Sequence, residues 1–269
     1  MTETEHKRIF PAARQDAQSA EHYPDTPQTA DPAYRLAFQD MDFLLREDLR
    51  PVRFQLELLK PELLLKAAGI ASTLVIYGSA RTPSPETVAQ SKLPSHLAYY
   101  EAARDLAKLA SAYPRNAEGK REFVVCSGGG PGIMEGANRG AVEAGAETIG
   151  LNIVLPFEQA PNAYVTPHLS FNFHYFALRK MHFLIHARAV AVFPGGYGTF
   201  DELFELLTLM QTKKIKRMPV VLFGERFWRR VINFEALVDE GVVAADDLSL
   251  FTFVETAEAA WACIQAFSS

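Results

Sequence analysis

Five short apolar runs constrain this chain most: STLVIYGSA, EFVVCSGGG, TIGLNIVLP, AVAVFPGG and MPVVLFG, all between residues 72 and 224. Each ends in small or turn-forming residues and has the length of a buried strand. SLFTFVE reads as a final strand. Between them lie the helical segments HLAYYEAARDLAKLASAY, GIMEGANRGAVEAG, YFALRKMHFLIHA, TFDELFELLTLMQTKK and RFWRRVINFEALVDEG, and AEAAWACIQAF follows the last strand. Apolar strands alternating with amphipathic helices form a mainly parallel sheet covered on both faces. The fold expected for residues 71–269 is therefore α/β and Rossmann-like.

The chain before residue 71 has a different rhythm. Residues 1–30 read as a mobile polar arm. Residues 31–70 read as a helical extension for packing or oligomer contact. Asp31-Pro32 marks a helix start, with a helix expected to about Arg50. Pro51 breaks it, and VRFQLELLKPELLLKAAG resumes the helical pattern.

In such a sheet, ligands collect at the carboxyl ends of the strands. Three strands here end in glycine-bearing turns: Gly78 to Arg81, Ser127 to Gly132, and Pro194 to Thr199. The last two each follow a strand and open a helix. One such loop alone is equally well a tight turn. Two on one sheet edge favour anion binding, because glycine N–H groups approach closely and a helix N-terminus carries partial positive charge. The first of these two offers Ser127, Gly128 and Gly129. The second offers Gly195, Gly196, Tyr197, Gly198 and Thr199.

The spacing excludes the commoner nucleotide sites. Neither loop satisfies G-x-G-x-x-G: position six is Ile133 counted from Gly128 and Asp201 counted from Gly196. No Walker-type G-x-x-x-x-G-K-[ST] occurs. Behind the second loop come Asp201 and Glu202. Asp201 reads as helix-start support at the edge of the site. Glu202 lies about one turn beyond Thr199, on roughly the same face. An acid there suits attack on a sugar carbon rather than on phosphorus. Arg179 and Lys180 stand near a helix start, where cations oppose the dipole, so they are expected to answer a local anion. His182 and His186 are spaced i, i+4 but lack the zincin glutamate, so they read as structural histidines and no metal is assigned.

Bulk composition narrows the partners. The net charge is −5, which disfavours a nucleic-acid polymer. No apolar run has the length of a membrane span, and the N-terminus MTETEHKRIF has no signal-peptide core. Cys126 and Cys263 stand in no motif and read as small buried hydrophobes in a reducing, cytoplasmic setting.

SGGGPGIMEGANRGA, ALRKMHFLIHA and FPGGYGTFDELFE together resemble the LOG ("lonely guy") family of cytokinin riboside 5′-monophosphate phosphoribohydrolases, often labelled lysine decarboxylases. The resemblance covers about residues 72–240, and PGGYGTFDE fits the family's P-G-G-x-G-T-x-x-E at every fixed position. The longer loops and N-terminal helices are similar to the larger bacterial members, some described as AMP nucleosidases. The resemblance implies hydrolysis of the N-glycosidic bond of a purine nucleoside 5′-monophosphate, AMP or an N6-modified AMP, to free base and ribose 5-phosphate. It implies Arg179 and Glu202 as the catalytic pair. It places the 5′-phosphate on Gly195, Gly196, Gly198 and Thr199, with Lys180 and Asp201 lining the same site. Glu158 occupies the position of a substrate-contacting acid. No cofactor is implied, and a homo-oligomer is. The alternative is a non-catalytic nucleotide or cofactor carrier of the same fold, which has little need of both Arg179 and Glu202. A pyridoxal-phosphate decarboxylase fits poorly, since no lysine lies within the glycine loops.

Overall fold

The computed structural model describes residues 10–156 and 160–268. The chain divides into two compact units, Met1–Leu56 and Glu57–Ser269.

In the first unit, α1 (Ala13–Ala20), α2 (Pro27–Ala30) and α3 (Met41–Leu44) are short helices, and Pro32–Tyr34 and Glu47–Leu49 are single 3-10 turns. The continuous helix expected from 31 to 50 does not form. Asp31 Oδ1 accepts the Ala33 N–H at 2.8 Å, and Asp40 Oδ1 accepts the Phe43 N–H at 3.1 Å. Each aspartate captures a backbone donor and starts a new short turn instead of sustaining a long helix. Arg53 Nη1 then donates to the carbonyls of Leu44 and Arg46, at 2.9 and 2.5 Å. α4 (Arg50–Ala67) begins with Pro51 in its first turn, where no N–H is required.

The second unit holds a seven-stranded sheet: β1 (Thr73–Tyr77), β2 (Val124–Ser127), β3 (Ile149–Ile153), β4 (Ser170–Phe173), β5 (Ala187–Val192), β6 (Val220–Phe223) and β7 (Thr252–Val254). All pairings are parallel, in the order β4-β3-β2-β1-β5-β6-β7. The fold is thus α/β and Rossmann-like, as expected. β4 is one strand more than the sequence reading supplied. Its four residues, SFNF, bury Phe171 and Phe173 and expose Asn172. Such a short alternating edge strand lacks the apolar run that marks the central ones.

Alternation along β1 builds two cores. Leu74 and Ile76 face α5 (Leu97–Ser111), α6 (Ile133–Glu143) and α11 (Ala257–Ser268), which contribute Leu106, Ala137 and Trp261. Val75 and Tyr77 face the opposite core, into which α7 (Phe176–Ile185) sends Phe183 and α8 (Tyr197–Gln211) sends Leu203, Leu206 and Met210. Two further helices, α9 (Glu225–Val231) and α10 (Phe234–Asp239), add Trp228 and Phe234 to that core. They replace the single helix expected over RFWRRVINFEALVDEG. Asn233 separates them, its side chain accepting the Ala236 N–H at 3.1 Å.

The strand order sets the place of the site. The chain moves outward from β1 through β2 and β3 to β4, then returns to pair β5 on the other flank of β1. A crevice opens at the carboxyl ends where the direction reverses. The turns around it are knitted together: the Ser79 N–H donates to Pro194 O at 3.1 Å, and Ser79 O accepts the Ile133 N–H at 3.1 Å. Gly132 makes this possible. Its φ is +71°, and a Cβ there would sit 2.3 Å from Ser79 O. Gly132→Ala is therefore expected to cost about 3 kcal/mol or more of stability, from backbone strain plus a clash that backbone cannot relieve. A denaturant midpoint equal to wild type would contradict this.

Candidate active site

A cavity of about 660 Å³ lies at the carboxyl ends of β1 and β5. Gly78 to Arg81 form one wall, Pro194 to Glu202 another, and Gly128, Met134, Phe176, Arg179 and Phe183 contribute between them. The volume is that of a small-molecule site.

The anion-binding features predicted from the glycine loop are brought together here. Gly196 caps α8 without a side-chain hydrogen bond, so the first N–H groups of the helix have no intrahelical acceptor. Nothing lies within 4 Å of a Cβ built on Gly196 or Gly198, so the backbone is open to a ligand. Gly195 is constrained differently: a Cβ there would fall 2.1 Å from Thr199 Oγ1. Thr199 is 8% exposed and lines the cavity, whereas Tyr197 is 95% exposed at its mouth. Ser127, Gly128 and Gly129 divide. Gly128 lines the cavity. Ser127 is fully buried, donates to Asn138 Oδ1 at 2.8 Å and accepts the Gly129 N–H at 3.0 Å. It braces the loop from beneath. Glu158 lies outside the described residues.

Behind the glycine turn stands a charge cluster. Lys180 Nζ contacts Asp201 Oδ1 at 2.9 Å and Glu205 Oε2 at 2.7 Å. Burial alone would lower the Lys180 pKa, but the bonds to Glu205 and Asp201 outweigh it and hold the ammonium above its ordinary value. Asp201 is therefore corrected from helix-start support to an ion-pair partner. α8 begins at Tyr197, which puts no acid in its first turn. Glu202, next to Asp201 in sequence, makes no direct ion pair among the described residues. Burial raises its pKa from 4.5 to about 7, against the charges of Lys180 and Arg179, which pull it down. A carboxyl titrating near neutrality in a cavity has the character of a catalytic acid or base.

Arg179 comes from α7. Its Nε donates to Leu151 O at 2.7 Å, and its guanidinium lies 5.2 Å from the Phe183 ring centroid. A Cβ on Gly128 would sit 2.7 Å from Arg179 Nη2, so the guanidinium packs directly over the other glycine loop. The structure thus brings Arg179, Glu202 and both loops to one crevice. The histidines have structural partners: His182 Nε2 is 3.2 Å from Glu57 O, and His186 Nε2 is 2.9 Å from Glu62 Oε2.

Three contributors escaped the sequence reading. Glu205 shares Lys180, and its position four residues after Asp201 was an available signal. Asn162 Nδ2 lies 3.1 Å from Gly129 O, 2.9 Å from Gly130 O and 2.9 Å from Asn138 Oδ1, tying down the first glycine loop from 32 or more residues away in sequence. Tyr77, at the end of β1, lines the cavity but reads in the sequence as one more strand hydrophobe.

Residues 134–264 match a protein-family model described as "Possible lysine decarboxylase". That span includes Arg179, Lys180 and the whole turn from Pro194 to Glu202. Over 143 residues the chain is 27% identical to a protein of Oryza sativa subsp. japonica named "Probable cytokinin riboside 5′-monophosphate phosphoribohydrolase LOG4". Over these spans the chain resembles the LOG family. The aligned part is 51% of this chain and 60% of the rice protein, less than two thirds of that relative's length. Among solved structures, the chain is similar to the molybdenum cofactor binding protein from Rippkaea orientalis, with TM-score 0.47 and 20% identity over 74% of this chain and 98% of the other. It is also similar to the Moco carrier protein from Chlamydomonas reinhardtii, with TM-score 0.45 and 21% identity over 73% and 98%. Among the described residues, no helix is long and apolar enough to cross a membrane.

Proposed function

We propose that this chain, which resembles the LOG family, hydrolyses the N-glycosidic bond of a purine nucleoside 5′-monophosphate, AMP or an N6-modified AMP, releasing the base and ribose 5-phosphate. The observation that carries the reading is Glu202. It is a half-buried carboxyl with a pKa of about 7, one helical turn beyond an uncapped glycine-rich helix start. The phosphate binds the N–H groups at the start of α8 and acts as a handle. Four residues of helix rise about 6 Å, so Glu202 lies by the sugar rather than by phosphorus. Departure of the base builds oxocarbenium-like charge on the ribose. An ionised Glu202 stabilises that charge or deprotonates the attacking water. Arg179 stays charged and hydrogen-bonds the phosphate or the leaving base. Remote phosphate binding orients the sugar for attack.

A lysine-based decarboxylase is disfavoured by Lys180. It is held protonated by two carboxylates, the opposite of what a Schiff-base nucleophile needs. A carrier without catalysis has no use for a carboxyl poised to titrate at neutral pH.

The test is chromatography of products from a panel of nucleoside monophosphates, with unphosphorylated nucleosides as controls. AMP or an N6-modified AMP is expected to yield free base, and adenosine at least about 100-fold less at equal concentration, because the handle is lost. Equal turnover of AMP and adenosine would overturn the assignment. An absence of base from every nucleotide would leave the carrier reading in its place.

A further inference from the structure

Tyr77 closes β1 beneath the cavity. It is 5% exposed, and its ring packs edge-on against Phe183 with centroids 5.0 Å apart. Its hydroxyl is buried and meets no hydrogen-bond partner among the described residues. A buried phenol that bonds nothing destabilises the protein holding it, and a phenylalanine would fill the same space without that cost. Tyr77 lines the cavity together with Glu202 and Arg179. It also stands within electrostatic reach of both.

We infer that Tyr77 is a substrate-contacting residue whose hydroxyl donates a hydrogen bond to a hydroxyl of the substrate's sugar. This rests on the function proposed above. With the phosphate on the first turn of α8, the group that comes to lie beside Glu202 is the ribose, and Tyr77 faces the same space. Burial, reinforced by the negative charge of Glu202, pushes the Tyr77 pKa well above its ordinary value. The phenol is therefore neutral and a donor throughout the working pH range. Donation to the ring oxygen would oppose the positive charge that develops there, so a sugar hydroxyl is the compatible acceptor. The partner missing among the described residues is supplied when substrate binds, which gives a destabilising hydroxyl its use.

The test is Tyr77→Phe, assayed with AMP, 2′-deoxy-AMP and 3′-deoxy-AMP, alongside thermal melting of the ligand-free protein. The variant is expected to melt at or above the wild-type temperature, since it discards an unpaired group. It is expected to lose about 5- to 10-fold in kcat/KM on AMP. On one of the two deoxy substrates the wild type and the variant should be equal, because the acceptor is already gone, and that substrate names the sugar hydroxyl. Equal loss on all three substrates, or no loss on AMP, would overturn the contact. So would a lower melting temperature, which would give the hydroxyl a structural role. If the wild type bound AMP but released no base, the hydrolase reading would fail. The contact would then be judged by calorimetric titration of wild type and variant with AMP and the two deoxy nucleotides, where unchanged affinity for AMP would overturn it.

Discussion

Glu202→Gln is expected to lose turnover by roughly two to four orders of magnitude, the range for removing a general base, and to melt at a higher temperature than the wild type at neutral and alkaline pH. Both effects come from the same burial. The carboxyl titrates at about 7 in the folded protein against 4.5 for an ordinary glutamate. The folded state therefore holds the proton more tightly than the unfolded state. Between pH 4.5 and 7 the native protein carries more protons, so stability falls as pH rises. The stability associated with the neutral carboxyl is fully present below 4.5 and is lost as pH passes through about 7. Above that, an ionised Glu202 costs on the order of 3 kcal/mol. Glutamine occupies the same space without the charge, so the variant gains over the wild type as pH rises from 4 to 8. At pH 4 the two should melt together. In the same window the wild-type kcat/KM should climb with pH, because the proposed hydrolysis needs the carboxylate. A melting difference independent of pH, or turnover by the glutamine variant near the wild-type rate, would remove Glu202 from the mechanism.

Arg179→Lys is expected to reduce kcat/KM by roughly 100-fold while leaving the melting temperature within a few degrees of wild type. The substitution keeps the charge and removes the fork. Arg179 uses Nε to hold Leu151 O at 2.7 Å, and that bond orients the plane of the guanidinium over Gly128. A lysine ammonium is a single point on a flexible stem and has no fixed plane to be oriented. Loss of one bond to a partly buried carbonyl has a small effect on folding. In the proposed hydrolysis, misplacing a cation beside the reacting bond has a large one on rate, because orientation enters the barrier directly. Nucleotide turnover of Arg179→Lys matching the wild type would show that charge alone suffices.

Much of the candidate site was legible because its residues lie close together in sequence. The turn from Pro194 to Thr199 carries its own information: glycines that leave the backbone open, a threonine at the helix start, and Glu202 one turn on. The central strands were legible for the same reason, since Val, Ile and Leu runs buried on both faces need no knowledge of their neighbours. β4 was not, because SFNF is a strand by virtue of pairing with β3 and burying two phenylalanines. The stretch from 31 to 50 failed in the other direction. Its helical pattern was real, but Asp31 and Asp40 side chains bond the backbone locally and divide it.

The sequence by itself determined the alternation of strands and helices and the two glycine turns that follow strands and open helices. These follow from periodicity and from residues within a turn or two of one another. Tertiary structure alone decided what those groups become. Placing β5 beside β1 brings Arg179, Gly128 and Glu202 to one crevice. Crossing from α7 to α8 lets Lys180 take Asp201 and Glu205 and leave Glu202 without an ion pair among the described residues. Burial then moves that carboxyl to about 7. A pKa depends on the dielectric and the charges surrounding a group in space, and spacing along the chain does not encode either.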